Sequence, residues 1–284
     1  MFTRIHHVSI AVHSLEEALP FYRDVLGLPE NQRATVADQG VRAVLLTTPD
    51  GEMELLEPVD PSGGIARFLQ RRGEGLHHLC LETPDVDAAV THAKGVGIPL
   101  IDQSSRLGLA GMIAFLHPKA SHGILVEFAQ PLAPPAHPAS VAGGIQALGL
   151  CSVYAVVKDL ANAAAVHARN FRATVGPIQE NVLLGANEVV ISIGRSRITL
   201  LSPADGRSPV GCFLTDRGEG LFGVCLRVLN LEAALAYLER IDISTEVHGK
   251  DTATSLARLD PSRTHGVNLF LCSTPPGRCQ TQNN

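Results

Sequence analysis

The chain has 284 residues, a formal net charge of −5, 45% hydrophobic residues and 18% charged residues. These proportions are typical of a globular protein and exclude a long disordered chain or a coiled coil. The acidic balance and the lack of a basic run make nucleic acids and membranes poor partners, and no apolar run approaches membrane-spanning length. Because the sequence enters a strand pattern at Ile5 without a signal segment, we expect a cytoplasmic protein.

The first predicted element is a strand over residues 5–12, in which apolar and polar side chains alternate and His7 lies on the polar face. A capping box that begins at Ser14 predicts a helix to about Leu26, with a local bend at Pro20. Turn residues divide the next segment into three predicted strands, near 31–37, 40–47 and 52–58. The element order of this unit is therefore βαβββ.

The same order starts again after a short connecting helix predicted over residues 65–72. Asp85 is the expected N-cap of a helix that runs to about Lys94. The predicted strands of this unit lie at 76–83, 99–102, 111–117 and 123–129. We therefore assign residues 1–130 to an α+β domain in which two βαβββ units form a curved mixed sheet, shaped like a cup.

A second domain is expected because the sequence is duplicated. Residues 73–82 read GEGLHHLCLE and recur as GEGLFGVCLR at 218–227, an offset of 145 positions. The length of the chain also favours two domains of ordinary size. We expect a copy of the first domain over residues 147–273. The remaining segments are predicted to be a proline-rich linker, 131–146, and a disordered tail, 274–284.

The cysteines do not indicate a disulfide framework. They show no C-x-x-C spacing, and most lie within apolar strand-like runs. We therefore expect free and mostly buried thiols. The six residues are Cys80, Cys151, Cys212, Cys225, Cys272 and Cys279.

Four polar residues of the first copy are replaced by less polar or apolar residues in the second. The pairs are His7 with Ser152, Glu54 with Thr199, His78 with Gly223 and, where the offset shortens to 143, Glu127 with Phe270. Two imidazoles and two carboxylates suit a divalent metal ion of intermediate softness, and four protein ligands leave two positions open on an octahedral ion. Sequence drift is the alternative, but four buried polar groups without a common role would be costly.

The paired βαβββ architecture resembles the vicinal oxygen chelate superfamily, and residues 4–130 resemble the methylmalonyl-CoA epimerases within it. The motifs that carry the resemblance are IHHV (5–8), FYRDVLG (21–27), QGVR (39–42), ELLEP (54–58), GEGLHH (73–78), FLHPK (115–119) and GILVE (123–127). The resemblance implies that His7, His78 and Glu127 are metal ligands and that Glu54 is the fourth. It also implies a divalent cation, with cobalt favoured and zinc, nickel or manganese as alternatives.

The implied activity is that of a racemase or epimerase. It interconverts the 2R and 2S forms of methylmalonyl-CoA, or of a similar acyl-CoA, through a metal-stabilised enolate. Glu127 is the expected catalytic base, and Lys119 is expected to bind the phosphates of CoA. The second glutamate of bacterial relatives is replaced by Ala43, and Glu52 is a weak substitute.

Other functions of the same superfamily stay open. The ligand types also resemble those of glyoxalase I, a lactoylglutathione lyase, and the four-unit layout resembles extradiol dioxygenases. A non-catalytic small-molecule-binding protein is the third alternative. In the epimerase interpretation the second copy substitutes for a partner subunit, which predicts either a monomer with an internal pseudo-dimer or a homodimer. His6 and His77 are expected on the strand face opposite the ligands, as second-layer or core residues.

Overall fold

The computed structural model describes residues 2–133, 141, 143–249 and 255–273. Its first half forms a mixed sheet of eight strands. These are β1 Arg4–Ala11, β2 Glu30–Val36, β3 Val41–Thr48, β4 Gly51–Pro58, β5 Gly75–Glu82, β6 Arg106–Gly108, β7 Gly111–Leu116 and β8 Val126–Gln130. The helices of this half are α1 Leu15–Leu19, α2 Gly64–Arg72 and α3 Val86–Gly95.

The second half forms another eight-stranded sheet. Its strands are β9 Ala147–Val156, β10 Thr174–Asn181, β11 Ala186–Ile193, β12 Ser196–Pro203, β13 Gly220–Val228, β14 Thr245–His248, β15 Leu256–Leu259 and β16 Asn268–Ser273. Its helices are α4 Leu160–Phe171, α5 Pro209–Arg217 and α6 Leu231–Arg240. None of the helices in the described part of the chain is long and apolar enough to cross a membrane.

The two sheets have the same topology. The strand order is β2-β3-β4-β1-β5-β8-β7-β6 in the first and β10-β11-β12-β9-β13-β16-β15-β14 in the second. In the first sheet β1 pairs in parallel with β4 and antiparallel with β5, so two βαβββ units meet at the centre of the sheet. The predicted α+β class with tandem βαβββ domains is confirmed.

The first helix changes its hydrogen-bond pattern at the proline. After α1 the chain forms a π-helical turn over Pro20–Val25, in which the amide of Leu26 donates to the carbonyl of Phe21. Proline has no amide proton to continue the α-helical pattern, so a break at this residue is expected. The local bend predicted at Pro20 is this change to wider turns.

Several strands differ from the sequence prediction. No regular strand forms at 99–102, where Leu100 makes one isolated bridge to Leu116 and the edge strand is β6 instead. Pro99 cannot donate to a neighbouring strand, which limits regular pairing there. In the second half the sequence pattern predicts strands near 149–157, 186–193, 196–203, 221–228 and 266–272. β10, β14 and β15 form in addition. Half of the predicted linker and the whole predicted tail lie outside the described residues.

The two sheets share a core. Helices and apolar strand faces of both halves belong to one cluster of buried side chains, in which the ring of Phe2 lies 4.8 Å from Phe128 and 6.0 Å from Phe171. Tyr22 Oη donates to the carbonyl oxygen of Thr264 at 2.9 Å, and Asn170 Nδ2 donates to that of Ala120 at 2.8 Å. The halves are therefore packed against each other over a continuous apolar interface.

Contacts between the halves are reciprocal. His265 Nδ1 lies 2.8 Å from Glu74 Oε2, and at the equivalent positions His122 Nδ1 lies 3.2 Å from Glu219 Oε1. Each histidine has a φ of 52°, and the glycine after it packs so closely on the backbone of the opposing glutamate that a Cβ would collide. An interface in which equivalent residues exchange contacts is the geometry of a twofold dimer.

Candidate metal centre

The four candidate ligands come from the four central strands of the first sheet. His7 lies on β1, Glu54 on β4, His78 on β5 and Glu127 on β8. Strand register brings them together, since Ser9 on β1 pairs with both Glu54 and His78. Directly paired residues of neighbouring strands point to the same face. All four are buried, with exposures of 6% or less.

The donor atoms lie as close together as ligands of one cation. His7 Nε2 is 3.2 Å from His78 Nε2, 3.2 Å from Glu127 Oε2 and 3.5 Å from Glu54 Oε2. His78 Nε2 is 3.6 Å from both Glu54 Oε2 and Glu127 Oε2. Ligands that each bind one ion at about 2.1 Å are separated by roughly 3 to 3.5 Å when they are adjacent. The spacing fits a single divalent ion.

Glu127 supports this fit. Its Oε2 atom is buried, and His7 Nε2 and His78 Nε2 lie 3.2 and 3.6 Å away without forming a well-directed hydrogen bond to it among the described residues. Burial raises the pKa of this carboxyl, but His7 and His78 lower it more, so the net pKa lies far below its usual range. A buried carboxylate oxygen without a hydrogen bond is costly unless a cation meets it.

His7 is held in a strongly negative environment. Burial lowers its pKa, but Glu54 and Glu127 raise it by a larger amount, so the net shift is upward. His7 therefore takes up a proton more readily than a free imidazole does. A metal ion needs the neutral imidazole, so metal binding competes with protonation of His7.

Ser9 belongs to this site although its role was not predicted. Its hydroxyl donates to Glu54 Oε2 and lies 2.9 Å from His78 Nε2. Ser9 therefore fixes the orientation of Glu54 beside the two imidazoles. The signal in the sequence is strand parity, because Ser9 lies two residues after His7 and shares its face.

The prediction that His6 and His77 lie on the opposite strand face was wrong. The pairing of β1 with β5 skips one residue on each strand, and these extra residues are His6 and His77. Such β-bulges interrupt the alternation of side chains. His6 Nδ1 consequently lies 2.9 Å from His7 Nδ1, and His77 Nδ1 lies 3.0 Å from His78 Nδ1.

His6 and His77 contact the Nδ1 atoms of the two candidate ligands His7 and His78. The Nε2 atoms of His7 and of His78 are therefore directed at the carboxylates. Burial and the neighbouring imidazole lower the pKa of His6 and of His77 to about 3. Both therefore stay neutral near neutral pH and act as hydrogen-bond partners that fix the ligand rings, a common arrangement around metal-binding histidines.

A cavity of about 700 Å³ lies beside the cluster. His6 and Glu52 form part of its wall, whereas none of the four candidate ligands is among the lining residues. Asn31 Nδ2 donates to Glu52 Oε1 at 2.6 Å, and His6 Nδ1 is 3.6 Å from Glu52 Oε2. Burial raises the pKa of Glu52, so this carboxyl in the cavity wall holds its proton more readily than an exposed one.

Lys119 lies in a different place. It lines a separate cavity of about 470 Å³ between the loop that holds it and α4, together with Arg169 and Glu219. This cavity contains neither the candidate ligands nor Glu52. The predicted contact of Lys119 with CoA phosphates stays a prediction.

Comparison with known proteins places the chain among related sequences. Residues 6–115 match a family model described as the Glyoxalase/Bleomycin resistance protein/Dioxygenase superfamily. A mouse mitochondrial methylmalonyl-CoA epimerase is 38% identical over 129 residues, which cover 45% of this chain and 72% of that protein. An ethylmalonyl-CoA/methylmalonyl-CoA epimerase of Cereibacter sphaeroides is 37% identical over 133 residues, 46% of this chain and 99% of the relative.

The similarity to solved structures extends beyond the first half of the chain. A variant of 4-hydroxymandelate synthase from Streptomyces coelicolor covers 96% of this chain and 92% of its own, with a TM-score of 0.70 and 18% sequence identity. At this identity the similarity shows the fold alone. It supports the tandem arrangement of two related sheets in one chain, while the epimerase relatives match the half that contains the four clustered residues.

Proposed function

The chain belongs to the glyoxalase/bleomycin resistance protein/dioxygenase superfamily, and from this membership we propose that it is a metal-dependent acyl-CoA epimerase. Its substrate would be methylmalonyl-CoA or a similar acyl-CoA with an acidic proton at C2. The main support is that the four clustered donors lie in the half of the chain that is 37% identical to an epimerase of this specificity. The spacing of those donors fits one cation.

His7, Glu54, His78 and Glu127 would hold the metal ion. The mixed set of two nitrogen and two oxygen donors suits Co²⁺, Zn²⁺, Ni²⁺ or Mn²⁺. When bound, such an ion supplies Lewis-acid stabilisation of negative charge that develops on the thioester oxygen. Ser9 would keep Glu54 oriented, while His6 and His77 would fix the two imidazole rings.

Inversion at C2 needs one group that removes a proton and another that returns a proton to the opposite face. We assign Glu127 as one of these groups. Glu52 is the second candidate because it lies in the cavity wall, is held by Asn31 and has a raised pKa. Ala43 cannot take this role, since it has no titratable group and packs in an apolar cluster with Leu56 and Ile65.

The second half would replace a partner subunit. The reciprocal contacts between Glu74 and His265 and between Glu219 and His122 support an internal pseudo-dimer. A monomer in light-scattering measurements is the expected result. A stable dimer would show that the second half does not satisfy the need for a partner.

Hydrogen exchange at C2 tests the reaction. Methylmalonyl-CoA is incubated in heavy water with the Co²⁺-loaded protein, with the protein after EDTA treatment, and with no protein. We expect deuterium at C2 only with the metal-loaded protein. Metal-dependent turnover of a glutathione hemithioacetal without C2 exchange would favour a glyoxalase function, and oxygen uptake with a tightly bound ferrous ion would favour ring cleavage.

A further inference from the structure

Three cysteines of the second sheet converge on one point. Cys151 on β9, Cys225 on β13 and Cys272 on β16 have sulfur atoms within 4.8 Å of one another. On β13, Cys225 pairs with Ser152 of β9. Arg227, two residues further along β13, pairs with Cys272 of β16. All three are free thiols.

A β-bulge brings the first of these cysteines into the group. The pairing of β13 with β9 skips Cys151, because Cys225 pairs with Ser152 and Leu226 pairs with Leu150. Cys151 occupies the position of His6 in the first half, where a bulge also redirects a donor side chain. The backbone feature that supports the histidine cluster in one sheet therefore supports the thiol cluster in the other.

The cluster is partly exposed and has two arginines nearby, of which Arg227 also forms an ion pair with Asp50 at 3.3 Å. Cys225 is 2% exposed, whereas Cys151 and Cys272 are half-buried. Arg197 and Arg227 both act electrostatically on the sulfur of Cys151. A cation could therefore reach the outer sulfurs while the inner one is shielded, and the guanidinium groups would offset the charge of three thiolates.

We propose that Cys151, Cys225 and Cys272 form a second metal site that binds one thiophilic d¹⁰ cation, Zn²⁺ or Cu⁺. Three sulfur donors without a carboxylate select soft cations over the harder ions that suit the histidine and glutamate cluster. Cu⁺ accepts three thiolates, and Zn²⁺ would keep its fourth tetrahedral position for water. Binding releases the thiol protons, since the thiolate is the ligand.

This site does not descend from the first metal cluster. The residues equivalent to Cys151, Cys225 and Cys272 in the first half are His6, Cys80 and Ala129, which offer a single thiol. In the second half, other residues occupy the positions equivalent to the four candidate ligands, among them Phe270. The proposed site is therefore independent of the proposed epimerase activity.

A titration with Cd²⁺, a thiophilic relative of Zn²⁺, tests the proposal. The full-length protein is reduced, freed of metal with a chelator and titrated while thiolate-to-metal absorption is measured in the ultraviolet. We expect the absorption to saturate by two equivalents, because the histidine and glutamate cluster of the first sheet can also take up Cd²⁺ without adding thiolate absorption. Cys151→Ser and Cys272→Ser should each weaken binding by at least about 100-fold, more than the loss of an outer partner of a metal site.

Matched variants define the controls. Cys212→Ser removes an exposed thiol of α5 and Cys80→Ser removes the thiol of the first sheet, and both should titrate like the unaltered protein. Circular dichroism melting checks that the half-buried Cys151 and Cys272 variants are folded. Competition of Zn²⁺ and Cu⁺ against Cd²⁺ then ranks the two natural cations. Saturation that persists in both cluster variants, or that disappears in Cys212→Ser, would overturn the proposal.

Discussion

The concave faces of the two sheets differ in chemistry while their backbones share one topology. In the first sheet this face carries two imidazoles and two carboxylates, all buried. In the second sheet Tyr154, Phe222 and Phe270 belong to an apolar cluster at the equivalent strands, with the rings of Tyr154 and Phe270 5.2 Å apart. The fold therefore does not depend on the polar cluster, which is a site built on a stable scaffold.

The replacements in the second sheet fit each other. Gly223 stands where the first sheet has His78. A Cβ at this position would lie 2.5 Å from the backbone oxygen of Asn268 and 2.9 Å from the ring of Phe270, which stands in place of Glu127. Ser152 and Thr199 satisfy each other with a hydrogen bond of 2.8 Å. The positions of His78 and Glu127 are thus taken by a glycine and a phenylalanine ring that packs beside it. The positions of His7 and Glu54 are taken by a neutral pair of hydroxyl groups.

The largest expected effect comes from bringing one residue of the second sheet into the first. His78→Gly removes a nitrogen donor and should reduce C2 exchange of methylmalonyl-CoA by at least about 10³-fold, because losing a ligand costs more than the 10- to 100-fold loss from an outer partner. Ser152→Ala is the matched control in the second sheet and should leave exchange unchanged. Exchange above one tenth of the normal rate in His78→Gly would contradict a role for the cluster.

The reverse exchange should cost stability. Phe270→Glu places a carboxylate among apolar side chains, so we expect unfolding free energy to fall by about 4 kcal/mol, from lost packing and an unpaired buried charge. Phe270→Leu is the control and should cost less than about 1.5 kcal/mol. Urea denaturation measures both. Equal losses for the two variants would mean that the second sheet tolerates charge at this position.

A third difference lies at the cavity wall, where Glu52 of the first sheet corresponds to Arg197 of the second. Glu52→Gln keeps the size of the side chain and removes its titration. Loss of an acid–base group typically reduces the rate about 10²-fold or more, so kcat should fall by at least that factor while KM changes little. Glu57→Gln, on the same strand, is the control. A kcat within threefold of normal would remove Glu52 from the mechanism.

The sequence was sufficient for features that are local in the chain. Asp85, for example, caps α3 by accepting from the amide of Ala88 at 2.8 Å, as its position before an amphipathic run predicts. Comparison of the two copies was sufficient to pick out the four clustered residues, because each is replaced by a less polar or apolar residue at the equivalent position of the second copy. Neither inference needed knowledge of which strands pair.

Features that depend on pairing were missed. The bulges at His6 and His77 arise from the register between β1 and β5, and no local pattern in either strand reveals which residue is extra. The edge strand β10 was missed because six of its eight residues are exposed and it contains Pro177, so it lacks the alternation of a half-buried strand. Sequence periodicity detects alternating burial. The edge strand β10 has little burial, and the bulges depend on the pairing with another strand.

The smallest expected effect concerns a buried histidine that only the second half contains. His167 on α4 corresponds to Tyr22, and while Tyr22 Oη donates to a carbonyl, His167 Nε2 has no partner in the described residues. Burial lowers the pKa of His167 to about 4, against a smaller upward effect of its hydrogen bond to Ala163. The folded protein therefore keeps this imidazole neutral in a range where the unfolded chain binds a proton.

The sign of the pH dependence comes from this difference. Well above pH 6.5 neither state is protonated at His167. As the pH falls towards 4 the unfolded chain gains the proton first, and stability is lost. Between pH 7 and pH 5 this single group should lower the unfolding free energy by about 2 kcal/mol. In metal-free His167→Leu the loss over that interval should be smaller by this amount, as measured by urea denaturation at both pH values. The other buried histidines are present in both proteins, so their contributions cancel. A pH dependence that is unchanged in His167→Leu would show that His167 is already protonated in the folded state.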